Sequence, residues 1–161
     1  MEKKYRIMFV CHGNICRSPM AELILRNMVE KEGRGSEFHI ASSATSTEEI
    51  WGSRGNPIHS EARAELLAHG IPVSEHYATL LMRSDYDKYD FFIGMDSANI
   101  RNMHRIFCGD SEKKVSKLLD YTPRGGDVSD PWYSRRFDVA FRDIYEGCAA
   151  FLKALGEESK E

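Results

Sequence analysis

Cys11 and Arg17 bracket the segment Cys11-His12-Gly13-Asn14-Ile15-Cys16-Arg17-Ser18, which pairs a nucleophilic sulfur with a planar cation. That pairing suits phosphoryl transfer to a thiolate. Sulfur attacks phosphorus, the phosphoryl group moves to sulfur, and water later hydrolyses the thiophosphate ester. Arg17 offers a fork of N–H donors to two equatorial phosphoryl oxygens, a geometry that lysine cannot reproduce. Gly13 and Asn14 adopt positive φ most readily, so the amides of His12, Gly13, Asn14, Ile15, Cys16 and Arg17 can turn inward as an anion nest. Ser18 reads both as a helix cap and as a hydroxyl donor to the leaving thiolate. Such a clamp stabilises charge spread over the transition state, and neither a metal nor another cofactor is expected. The departing oxide needs a proton, for which Asp130 is the candidate. Pro131 would stiffen its carboxyl, Trp132 and Tyr133 would wall a pocket for an aromatic leaving group, and the same carboxylate would later activate water.

These groups need a scaffold that brings residues 11–18 and 130 together. Arg6–Val10 reads as a short buried strand, and Ser18-Pro19 as an N-cap with proline at the first helical position, opening a helix through Val29. The loop then sits at a helix N-terminus, where unpaired N–H groups and the helix dipole bind an anion and favour a thiolate. Further strands are expected at Phe38–Ser42, Asp90–Met95 and Val115–Leu118. Helices are expected at Ser60–His69, Ser97–Phe107 and from Phe137 to a stop at Gly156. The alternation predicts an α/β fold with four parallel strands. Two long loops, Thr45–Ile58 and Leu119–Tyr133, should converge with the cysteine loop beyond the carboxyl ends of the strands.

The 161 residues suit a single domain, 1–161, with 42% hydrophobic and 29% charged residues. No apolar run approaches the ~20 residues of a membrane span. Met1-Glu2-Lys3-Lys4 runs straight into the first strand, so a cytoplasmic protein is expected. A net charge of −3 gives no general case for a nucleic-acid or membrane partner. Cysteines at 11, 16, 108 and 148 fit neither a disulfide framework nor paired zinc spacing.

The run Val10–Pro19, taken with the distant Asp130-Pro131, closely resembles the low-molecular-weight protein tyrosine phosphatases. The resemblance implies a three-layer α/β fold, with a four-stranded parallel sheet in order 2-1-3-4 and helices on both faces. It also implies metal-independent hydrolysis of phosphotyrosine on protein through a cysteinyl-phosphate, with inorganic phosphate as product and inhibitor, by a monomer. Carried onto this chain, it makes Cys11, Arg17 and Asp130 the catalytic residues, with phosphate binding over His12–Ser18. It further implies a loop-supporting network of Asn14, Ser18, Ser42 and His69, and makes Cys16 a redox partner able to form a reversible disulfide with Cys11. Related arginine phosphatases carry threonine at the position of Ile15, so isoleucine favours phosphotyrosine. The chain departs from the family at His12 and over Glu48–Pro57, where Glu48 aligns with a substrate-contacting aromatic and Trp51 is displaced along the loop. Trp132 stands where tyrosine is common. Trp51, Trp132 and Tyr133 are the expected pocket wall.

Two other readings compete. Arsenate reductases of similar fold need further redox cysteines after the loop, and Thr79–Asp90 has none. A phosphate-binding module would not need cysteine, arginine and aspartate together. A Walker nucleotide site is excluded by the lack of its glycine-lysine pattern, and His104 with Cys108 has no identifiable metal-ligating partners.

Overall fold

The first strand, β1 (Tyr5–Cys11), is buried at every residue from Ile7 to Cys11, as a strand covered on both faces must be. Ile7, Phe9 and Cys11 join one hydrophobic cluster and Met8 and Val10 another, which is the two-residue alternation of a pleated strand. The computed structural model describes residues 3–52 and 54–159. After β1 come α1 (Arg17–Lys31), β2 (Phe38–Ala44), β3 (Ile50–Trp51), β4 (Arg54–Gly55), α2 (Ser60–Ala68) and β5 (Phe91–Gly94). The chain continues through α3 (Ser97–Ile106), β6 (Val115–Lys117), the short α4 (Pro131–Ser134) and α5 (Phe137–Ser159).

The main sheet has four parallel strands in the order β2-β1-β5-β6, the expected 2-1-3-4 arrangement. Ile7 stands opposite Ile40 on one side and Phe91 on the other. Residues of α1, α2 and α5 fill the cluster around Phe9, whereas Met103 of α3, Phe107 and the turn at Tyr86 cover Met8, Val10 and Phe92. The sheet thus has helices on both faces.

The apolar face of α5 is buried from Phe137 to Leu155, each large side chain contributing roughly 1.5–3 kcal/mol. A Cβ at Gly147 would lie 2.5 Å from Leu118 Cγ, so glycine is what lets α5 close on the turn after β6. Gly156 does not end this helix, which runs on to Ser159. One glycine costs about 1 kcal/mol in a helix, too little to break one already anchored by packing. Among the described residues, no helix is long and apolar enough to cross a membrane.

Two differences from the sequence reading bear on the site. The first helix starts at Arg17, so Ser18 is a helical residue rather than its cap, and no side chain caps that terminus. The Thr45–Ile58 loop contains the β3–β4 hairpin, with Gly52 at φ +62° in its turn and Ser53 outside the described residues.

Candidate active site

Cys11 ends β1 and is 3% exposed. Its sulfur accepts hydrogen bonds from Asn14 N at 3.3 Å and Ser18 N at 3.4 Å, and Ser18 Oγ lies 3.0 Å away. The loop carbonyls are taken by partners outside the cleft. Those of Cys11 and His12 accept from Thr45 N and Ser46 N, that of Ile15 from His59 N, and that of Cys16 from Met20 N. With its carbonyls turned outward, the loop aims amides at the sulfur, beside an uncapped helix terminus.

Asn14 holds this turn. It takes φ +60°, while Gly13 stays out of the left-handed region. Gly13 matters for space instead, since a Cβ there would lie 3.2 Å from Glu49 Cγ. Asn14 Nδ2 donates to Ser18 Oγ at 2.8 Å and Ser42 Oγ at 2.9 Å, and Asn14 Oδ1 accepts from Thr79 N at 2.9 Å. Ser42 in turn donates to Glu22 Oε1 at 2.6 Å, which leaves its oxygen to accept from Asn14. Ser18 Oγ likewise accepts from Asn14 and keeps its own proton for Cys11. The buried amide is therefore satisfied on every side.

Arg17 is 3% exposed and is held from three directions. Nη1 donates to Asp96 Oδ2 at 2.7 Å and to the Val128 carbonyl at 2.9 Å, and Nη2 lies 3.5 Å from Asp130 Oδ2. Burial opposes its charge, but Cys11, the hydrogen bond it donates to Asp96 and the nearby Asp130 outweigh it and raise its pKa above the usual arginine value. Asp96 also caps α3, accepting from Asn99 N at 2.8 Å. Val128 N donates to Met95 O, so the loop carrying Asp130 is tied to the end of β5.

Asp130 is the N-cap of α4: its Oδ1 accepts from Trp132 N at 3.0 Å, with Pro131 buried at the first helical turn. It opens onto a cleft of about 130 Å³ lined by Cys11 through Arg17 with Glu48, Glu49, Trp132 and Tyr133. Burial, then the charges of Cys11 and Asp130, push the Cys16 thiol up to about 12, so it stays protonated at neutral pH. Such a cleft can hold a tetrahedral anion against a sulfur, with a cation beside it and a carboxyl opposite.

A family profile described as low molecular weight phosphotyrosine protein phosphatase matches residues 6–161. The chain belongs to that family. It is 36% identical over 159 residues to the low molecular weight phosphotyrosine protein phosphatase of Schizosaccharomyces pombe, covering 96% of this chain and 99% of the relative. With the corresponding protein of Gallus gallus it shares 35% over 155 residues, covering 94% of each. The crystal structure of YfkJ from Bacillus subtilis superposes with a TM-score of 0.88 at 32% identity, covering 98% of each chain.

Within this low-molecular-weight phosphatase, two expected positions are corrected. His69 does not support the loop: it stacks on Phe141 at 3.9 Å between ring centroids, and its Nδ1 lies 3.0 Å from the Glu65 carbonyl. The histidine that reaches the loop is His76, whose Nε2 lies 2.8 Å from the Asn14 carbonyl. Trp51 does not line the cleft. It is 72% exposed on the β3–β4 hairpin, and Glu48 and Glu49 occupy that side instead.

Several contributors escaped the sequence reading. Thr79 and His76 lie in a segment without regular structure, which joins the sheet edge through the Ala44–Leu80 bridge. Glu22 gave no signal beyond helix polarity. Asp96 was findable, because it directly follows a buried strand, at the sheet end where ligands bind, and starts a capping pattern with Asn99. Among the described residues, no group of three or more histidine, cysteine, aspartate or glutamate side chains could hold a metal ion.

Proposed function

We propose that this chain hydrolyses phosphotyrosine on protein through a cysteinyl-phosphate, without a metal. The Cys11 thiolate forms the S–P bond as the P–O bond to tyrosine breaks, and Asp130 gives its proton to the departing phenolic oxygen. Arg17 and the amides of residues 12–18 hold the three equatorial oxygens. Asp130, now a carboxylate, takes a proton from water as its oxygen attacks phosphorus. The S–P bond breaks, inorganic phosphate leaves, and Ser18 donates to the restored thiolate.

The observation that carries this reading is Arg17. Its pKa is raised chiefly by the nucleophilic cysteine, while its Nη2 lies 3.5 Å from the carboxylate that would serve as acid. One guanidinium thus links the nucleophile to the proton source. Trp132 and Ile15, both on the cleft wall, offer apolar surface to an aromatic ring. All four cysteines are free, which fits a reducing compartment and the cytoplasmic, monomeric, single-domain protein we propose.

The test is kcat/KM on matched phosphotyrosyl and phosphoarginyl peptides, in EDTA and reductant, with Cys11→Ser beside the wild type. A phosphotyrosyl preference that disappears in the variant is expected. Preference for phosphoarginine would overturn the substrate class, and turnover by Cys11→Ser would overturn the mechanism.

A further inference from the structure

The rim of the cleft carries charge that the phosphoryl chemistry does not use. Glu48 and Glu49 line the cleft that holds Cys11, alongside Trp132 and Tyr133. Glu49 is fixed: Asn56 Nδ2 donates to its Oε2 at 3.2 Å, Asn56 N donates to its carbonyl at 2.8 Å, and its Cγ packs over Gly13. Its charge is felt at the floor, where it helps to keep Cys16 protonated. Glu48 is anchored by Glu48 N donating to Ser46 Oγ at 3.1 Å, and its Oε2 lies 3.0 Å from His12 Nε2. The Glu48 side chain is 70% exposed, leaving the carboxylate open to solvent. Among the described residues, no lysine or arginine pairs with either carboxylate.

Carboxylates at the mouth of a dianion site repel a substrate that brings only its phosphate. They attract one that carries a cation a few ångströms from that phosphate. We propose that Glu48 and Glu49 are specificity-determining residues, which select phosphotyrosine flanked by lysine or arginine. The neighbouring cation pairs with the two carboxylates while the tyrosine ring lies against Trp132. This rests on the phosphotyrosine reading and names the peptide context it serves. The pair stays accessible to solvent, so the selection weakens as salt screens it.

The experiment measures kcat/KM on three phosphotyrosyl peptides that differ only in residues beside the phosphotyrosine, which are lysine, glutamine or glutamate. They are run at low and high ionic strength on the wild type and on the double variant Glu48→Gln/Glu49→Gln. Within each enzyme the lysine-to-glutamate ratio cancels any change in folded or active fraction. For the wild type at low salt the ratio is expected to be roughly five- to tenfold, the size of two partly exposed charge pairs. It should fall toward one at high salt and in the double variant. A wild-type ratio near one, or a preference that survives both substitutions, overturns the inference while leaving the phosphotyrosine reading intact. Turnover of none of the three peptides overturns both.

Discussion

His76 Nε2 lies 2.8 Å from the carbonyl of Asn14, so a residue in a loop beyond α2 reaches the turn that shapes the proposed phosphate cradle. Asn14 is bonded through its side chain to Ser18, Ser42 and Thr79 as well. The left-handed turn is thereby held from the helix, from the sheet and from the sheet edge.

Replacing Asn14 tests this arrangement. Asn14→Gly keeps a residue that tolerates φ +60° but removes all three side-chain partners. We expect kcat to fall by about 100-fold through misplacement of the loop amides, and unfolding free energy to drop by roughly 1–3 kcal/mol for buried polar groups left unpaired. Steady-state kinetics and urea denaturation report these separately. Wild-type kcat in this variant would show that the turn alone suffices.

The two histidines separate loop support from packing. His76→Ala should lower kcat by roughly tenfold, with partial recovery in His76→Gln, because the Asn14 carbonyl loses its partner. His69→Ala should leave kcat unchanged and cost about 0.5–1.5 kcal/mol of stability from the lost stack on Phe141. The reverse pattern would return His69 to the loop.

Asp130→Asn removes the proposed proton donor while retaining a side-chain oxygen to cap α4. Its kcat on phosphotyrosine should fall by about 100- to 10,000-fold. The first step with 2,4-dinitrophenyl phosphate, whose leaving group needs no proton, should be affected far less. Equal losses in the burst rates for both substrates would rule Asp130 out as the acid.

Cys16 and Cys148 give a prediction in pH. Burial raises both thiols, Cys16 to about 12, whereas an ordinary exposed cysteine thiol titrates at 9.0. The folded state therefore holds these protons more tightly than the unfolded chain. Their contribution to stability is complete below about pH 9 and is lost as pH rises toward 12, with a slope of up to ~1.4 kcal/mol per pH unit for each group. Urea melts at pH 8, 9 and 10 should show that decline. Iodoacetamide at pH 7.5 should spare both residues in the native protein, and rapid labelling of Cys16 would contradict its placement.

The parts of the site carried by contiguous residues were legible before the fold. Cys11 through Arg17 announces itself because strand, turn and helix signals coincide with the chemistry, and Asp130 follows from its proline and aromatic neighbours. What the sequence could not convey is which distant residues meet the loop. His69 ends a clear helix and was given a supporting role only by the family resemblance, yet the chain turns there and carries its ring onto Phe141 of α5. His76 sits in an irregular stretch whose position depends on two isolated bridges, Tyr77 with Pro57 and Leu80 with Ala44. Trp51 was expected in the pocket because the resemblance implies a substrate-contacting aromatic in this loop, displaced here from Glu48, but on the β3–β4 hairpin it faces solvent. Ser18 reads as a cap by its type, whereas the uncapped start at Arg17 leaves its amide and hydroxyl for Cys11.

The most direct test of the covalent mechanism is to quench Asp130→Asn in acid while it turns over 2,4-dinitrophenyl phosphate, and to map the phosphoryl group by peptide mass spectrometry. Loss of the base slows breakdown of the intermediate, so a phosphoryl group on the Cys11 thiol is the predicted result. A phosphoryl group on any other residue, or a quenched enzyme that carries none despite a stoichiometric burst of dinitrophenol, would contradict it.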